Sequence, residues 1–150
     1  MRNVHIILAF VLIAGTGLTQ AFADGGNSAR GSRLAPYQQL IEEEKYQAAI
    51  DKLQAALKDA PNDADLLNLT AYSQRKLQRF DEALVNYQKA LQIDPDHLGA
   101  NEYLGELYLQ LGQLDKALER LEVLDKECFF GCEEYDDLKE AIEKYRTGNQ

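Results

Sequence analysis

Shifted by 34 residues, this chain lies on itself. The shift superimposes Ala49, Ala83 and Ala117, and it aligns Ile50 with Leu84 and Leu118. Tyr46 falls on Phe80 and Leu114, Leu53 on Tyr87 and Leu121, Ala56 on Ala90, Leu57 on Leu91 and Pro61 on Pro95. A period of this length signals stacked units, none of which can bury its apolar face alone. From Pro36 onward, apolar residues recur at three- and four-residue intervals, and no stretch alternates. Strands are therefore not expected, and the domain reads as all-α.

The repeated positions make physical sense as paired helices. Ala71 and Gly105 let one helix approach closely, while Ala49, Ala83 and Ala117 receive it. Bulky residues three and four positions further on fill the groove between them. In Asp94-Pro95-Asp96, proline stops a helix because it cannot continue the hydrogen-bond ladder and restricts the residue before it.

Three segments carry a family resemblance: "RKLQRFDEALVNYQKALQIDPDH" within residues 64–97, "EYLGELYLQLGQLDKALERL" within 98–131 and "KYQAAIDKLQAALKDAPND" within 30–63. They resemble the tetratricopeptide repeat (TPR) family, which implies a helix-turn-helix solenoid of about three repeats. The first unit is degraded, with Tyr37 where the family has a small residue, and Thr70 and Gln74 stand where it has apolar groups. A final amphipathic helix over 133–146 carries the stripe Tyr135, Leu138, Ala141, Ile142 and Tyr145. It is expected to cap the stack within a TPR domain spanning 36–147.

Residues 1–23 read as a cleavable signal peptide. Arg2 precedes an apolar run from Ile6 to Leu18, and Ala21 and Ala23 suit a cut before Asp24. An exported protein is expected, periplasmic in a Gram-negative cell, with no membrane insertion after cleavage. The Gly- and Ser-rich stretch 24–35 is expected to be a flexible tether. With 16 basic against 25 acidic residues, the net charge of −9 disfavours nucleic acid and anionic membrane surfaces as partners.

The two cysteines of the chain, Cys128 and Cys132, bracket Phe129-Phe130-Gly131. In an oxidising compartment such a pair is expected to close as a structural disulfide. The alternative is a metal-handling or thiol-redox protein built on the same pair, because spaced thiolates bind soft metals. His97 is about thirty residues away and reads as an exposed helix-start histidine. Glu133 and Glu134 oppose thiolate formation at Cys132. No phosphate-binding glycine loop, HExxH or GxSxG occurs. The acidic runs Glu42 to Glu44 and Glu133 to Asp137 read as solvated helix ends. No catalytic residue, metal ligand or cofactor is assigned, and an enzyme is not expected.

Surface recognition is the remaining class of function. The resemblance implies that the first helices of successive repeats line a concave groove binding a protein or peptide segment. It places Asp65, Asn68, Tyr72, Arg75 and Lys76 there from one unit, and Gly99, Glu102, Glu106, Leu109 and Gln110 from the next. Tyr72 is the strongest expected contact, since aromatic anchors dominate interfaces. Changing Tyr72 to Ala and Arg75 to Glu together is expected to abolish capture with the helices intact. Self-association through the tether or an open repeat edge is a further expectation.

Overall fold

The structure is a computed structural model that describes residues 25–148. Seven helices follow one another among them: α1 (Gly25–Glu42), α2 (Tyr46–Asp59), α3 (Ala64–Lys76), α4 (Phe80–Ile93), α5 (Leu98–Gln110), α6 (Leu114–Glu127) and α7 (Glu133–Gly148). The period is literal in three dimensions. Helices α2, α4 and α6 each start 34 residues after the one before, as α5 does after α3. Every helix packs only against elements one or two places away in the chain, which is the geometry of a solenoid.

Local chemistry fixes the boundaries. Asp63 caps α3 by accepting from the Leu66 N–H, and His97, one period later, caps α5 by accepting from the Ala100 N–H at Nδ1. Between the helices of each pair, one residue turns the chain with positive φ: Glu44 at 56°, Gln78 at 60° and Gly112 at 73°. Only the third unit has glycine there, which adopts this conformation without steric cost.

Ala49, Ala83 and Ala117 are fully buried, as the repeat requires. The main core gathers Ala83, Tyr87, Leu104, Leu107, Ala117, Leu124, Leu138 and Ile142. Thr70 and Gln74 are buried as well and satisfied locally. Thr70 donates to the Leu66 carbonyl at 2.7 Å, while Gln74 donates to Glu82 and accepts from Asn86, tying α3 to α4. The capping helix occupies the position that the first helix of a further repeat would take. Its Leu138 seats on Gly105, where an added Cβ would lie 2.6 Å from a leucine methyl.

The tether expected over 24–35 is corrected by the structure. Helix α1 starts at Gly25 and runs through Pro36. Gly and Ser are poor helix formers, but tertiary contacts override propensity. Leu34 is buried against Ala49, Leu53 and Leu66, while Arg30 and Arg33 form ion pairs with Asp65 and Asp63. The expected signal peptide and Asp24 lie outside the described residues.

Cys128 ends α6 and Cys132 immediately precedes α7, with their Cα atoms 5.5 Å apart and the sulfurs joined. The loop between them presents Phe129 and Phe130 almost wholly to solvent, edge to face. Among the described residues, no group of three His, Cys, Asp or Glu is placed to hold a metal ion, and no helix is long and apolar enough to cross a membrane.

Candidate functional site

Helices α1, α3, α5 and α7 stand side by side and line one face of the stack. Three concavities follow each other along it. The largest, about 580 Å³, is bounded by Arg30 and Leu34 of α1, Asp65 and Asn68 of α3, Glu102 and Tyr103 of α5, and Glu134 of α7. The next, about 280 Å³, lies between Gln38, Ile41, Leu69, Tyr72 and Tyr103. A third, about 430 Å³, is formed by Arg75, Glu106, Leu109, Gln110, Lys144 and Tyr145.

The expected groove residues thus share one face but play different parts. Asp65, Asn68, Gly99 and Glu102 line the largest cavity, Tyr72 the second, and Arg75, Glu106, Leu109 and Gln110 the third. Lys76 is exposed at the margin, its ammonium 5.9 Å from the Tyr46 ring centroid and 6.0 Å from that of Tyr72.

Arg75 is the largest departure. Read as a free groove cation, it is only 8% exposed and spans the core between α3 and α5. Its Nη2 meets Glu106 at 2.6 Å, and its guanidinium lies 5.4 and 5.6 Å from the Tyr72 and Tyr103 rings. The rings themselves meet at 4.8 Å between centroids. Substituting Arg75 would strip the α3–α5 seam of its ion pair, so the expectation that changing Arg75 with Tyr72 leaves the helices intact is withdrawn.

His97 is corrected in the same way. It is 8% exposed, and its Nδ1 is committed as the cap acceptor of α5. The proton therefore sits on Nε2, which donates to Asp65 Oδ1 at 3.1 Å. Asp65 also receives the Arg30 guanidinium and Arg33 Nη2. Burial opposes ionisation of Asp65, but Arg30 and then His97 outweigh it and hold the carboxyl below its usual range.

Glu102 is the opposite case. It is 6% exposed, and none of the hydrogen bonds or ion pairs among the described residues reaches its carboxylate. Burial, reinforced by Glu106, Asp137 and Glu134, pushes its pKa from 4.5 up to about 8, against the pull of Arg75. A carboxyl with its folded pKa raised favours folding fully below the unfolded pKa, and that contribution is lost as pH rises through about 8. The wild-type melting temperature should therefore fall between pH 5 and pH 9. Glu102→Gln should flatten this slope, and after discounting for water contact the variant should gain about 2 kcal/mol at pH 9, roughly 5 °C. Parallel melting curves at both pH values would refute the assignment.

Tyr103 was missed, although Gly99 and Tyr103 are one helical turn apart and share a face. Arg30 and Glu134 were missed for another reason: they belong to flanking helices outside the two units first assigned to the groove.

Two family models described as tetratricopeptide repeats match residues 38–97 and 74–142. The inactive TPR repeat-containing thioredoxin TTL3 of Arabidopsis thaliana is 27% identical over 89% of this chain, which spans 21% of that protein. Tetratricopeptide repeat protein 37 of Xenopus laevis is 28% identical over 70% of the chain, which spans 7% of that protein. Among solved structures, the TPR2B domain of yeast Sti1 in its pHsp70 complex superimposes with a TM-score of 0.68 at 22% identity, covering 81% of this chain and 98% of that one. PcrH in complex with the chaperone-binding region of PopD gives 0.67 at 16%, covering 83% and 96%. At such identities these two show the fold alone. With residues 38–142 matched, the helix pairs spaced by one period and the same fold in solved relatives, the chain belongs to the tetratricopeptide repeat family.

Proposed function

We propose that this protein is a non-enzymatic adaptor that binds a peptide or protein segment along the face of α1, α3, α5 and α7. The observation that carries the reading is the row of three concavities on one face, with the Tyr72–Tyr103 pair between the larger two. Such a row suits an extended segment better than a small molecule, and half-buried tyrosines make good anchors. The solved relatives support the reading, since the TPR2B domain of Sti1 was solved in complex with pHsp70 and PcrH with the chaperone-binding region of PopD.

Selection of a displayed library of random dodecapeptides on the folded chain tests it. Binders should emerge and should lose at least about tenfold in affinity on Tyr103→Ala, since aromatic anchors carry 2 kcal/mol or more. Helical content and melting temperature report whether that variant is folded. Binders indifferent to Tyr103, or none, would overturn the groove. Static light scattering of the free chain separates this role from self-association through an open repeat edge, which predicts a multiple of the chain mass.

We also propose that the mature chain is exported, starts at Asp24 and keeps Cys128 and Cys132 closed as a structural disulfide. Intact mass after alkylation checks both. An unmodified chain lacking residues 1–23 supports the reading, and two alkylated thiols would favour the metal-handling or redox alternative.

A further inference from the structure

The largest cavity contains an imbalance that the fold does not resolve. Two other carboxylates of this face have cations against them: Asp65, in the same cavity, has Arg30 and Arg33, and Glu106 has Arg75. Glu102 has no such partner, although it is more than nine-tenths buried and borders the cavity. Beside it, Asn68 is also 6% exposed, and its amide Oδ1 is buried without a hydrogen-bond partner among the described residues. Asn68 Oδ1 is a buried acceptor left unmet, which is costly, and Glu102 becomes a second acceptor once it ionises. Around them, Asp94, Asp96 and Glu134 add negative charge to the rim.

We infer that this cavity takes a basic side chain, lysine or arginine, from the bound segment, with Glu102 as its counter-ion and Asn68 Oδ1 as a second acceptor. The inference rests on the groove reading above and names what that groove selects. The same face already houses guanidinium groups: Arg75 against the Tyr72 and Tyr103 rings, and Arg30 against Asp65. Tyr103 also borders the cavity, so an incoming cation meets an aromatic wall as well as a carboxylate. No group of carboxylates among the described residues is arranged for a metal ion, which favours an organic cation with directional donors.

Proton linkage follows from the surroundings of Glu102. Glu106 on its own helix and Glu134 and Asp137 on α7 disfavour its charge, Arg75 on α3 favours it, and Asp65 is already paired with Arg30 and Arg33. An arriving cation reverses that balance, so binding near neutral pH should expel a proton from Glu102. Affinity should rise with pH and level off above about 8.

The selected dodecapeptides and a set of single-site variants decide the matter. Binders should share one enriched Lys or Arg. Exchanging an enriched Arg for citrulline, or an enriched Lys for norleucine, should weaken binding at least about tenfold, as should Glu102→Gln in the protein. Titration calorimetry in buffers of different ionisation enthalpy should show proton release that Glu102→Gln abolishes. Citrulline and norleucine leave the protein untouched, so a folding defect cannot mimic the result. Binders that need Tyr103 but show no basic enrichment and ignore Glu102→Gln would overturn this inference and leave the groove standing. An absence of binders would remove both.

Discussion

Gly105→Leu should detach α7 from the stack. An added Cβ alone would sit 2.6 and 2.7 Å from the two methyls of Leu138, distances that packed carbon atoms do not tolerate. Leu138 cannot retreat, because it is fully buried in the core with Ile142 behind it. Removing both from that core forfeits about 1.5–3 kcal/mol each, so a loss of about 4 kcal/mol is expected. Urea unfolding with α7-directed proteolysis measures it: the midpoint should drop sharply and cleavage should start within residues 133–148. The milder Gly105→Ala gains about 1 kcal/mol in helix propensity while paying 1–3 kcal/mol for overpacking. Leu138→Ala should therefore be far less harmful in the Gly105→Ala background than alone. Additive effects of the two changes would show that this contact does not hold the cap.

Arg75→Ala should be the second most damaging change, at about 3 kcal/mol or roughly 10 °C in melting temperature. The substitution leaves Glu106 without its cation and takes the guanidinium away from two tyrosine rings at once. It also leaves Glu102 without the positive charge that moderates its pKa. Arg75→Lys should recover only part of the loss, because a compact ammonium cannot both reach Glu106 and cover two tyrosine rings as the broad guanidinium does. A paired Arg75→Met and Glu106→Gln chain should melt within a few degrees of wild type, since it strands no charge. If Arg75→Ala melts like wild type, the seam between α3 and α5 does not depend on the ion pair.

The two substitutions mark how far the amino-acid order carries. The helix pairs were legible because one spacing recurs, so that Ala49, Ala83 and Ala117 each predict the others. Gly105 was also legible as a place of close approach. Arg75 was not, because an arginine at a groove position reads as solvent-facing until the Tyr72–Tyr103 pair closes over it. The helical start of α1 was hidden by its glycines and serines. Its anchors are Arg30 and Arg33, whose partners Asp65 and Asp63 lie in the following unit. His97 shows a different failure, since the period places it on Asp63, a cap residue with its side chain turned inward. A histidine filling the same role had a signal that composition obscured. That Glu102 is buried without a partner could not be read at all, because it depends on four helices meeting around one carboxyl.

Contacts confined to neighbouring helices also have a consequence for how this chain gains and loses its structure. Because the described helices pack only against elements one or two places away, the loop-closure entropy of folding is small, and structure can nucleate in any unit and spread outward. The same economy makes opening piecemeal, because α1 and α7 can unzip without disturbing the middle. The largest cavity breaks that independence, since its walls are drawn from α1, α3, α5 and α7 together. A segment lodged in it would rivet the separately melting parts into one cooperative block, so that occupancy would be felt as simultaneous protection of backbone amides from Arg30 to Glu134.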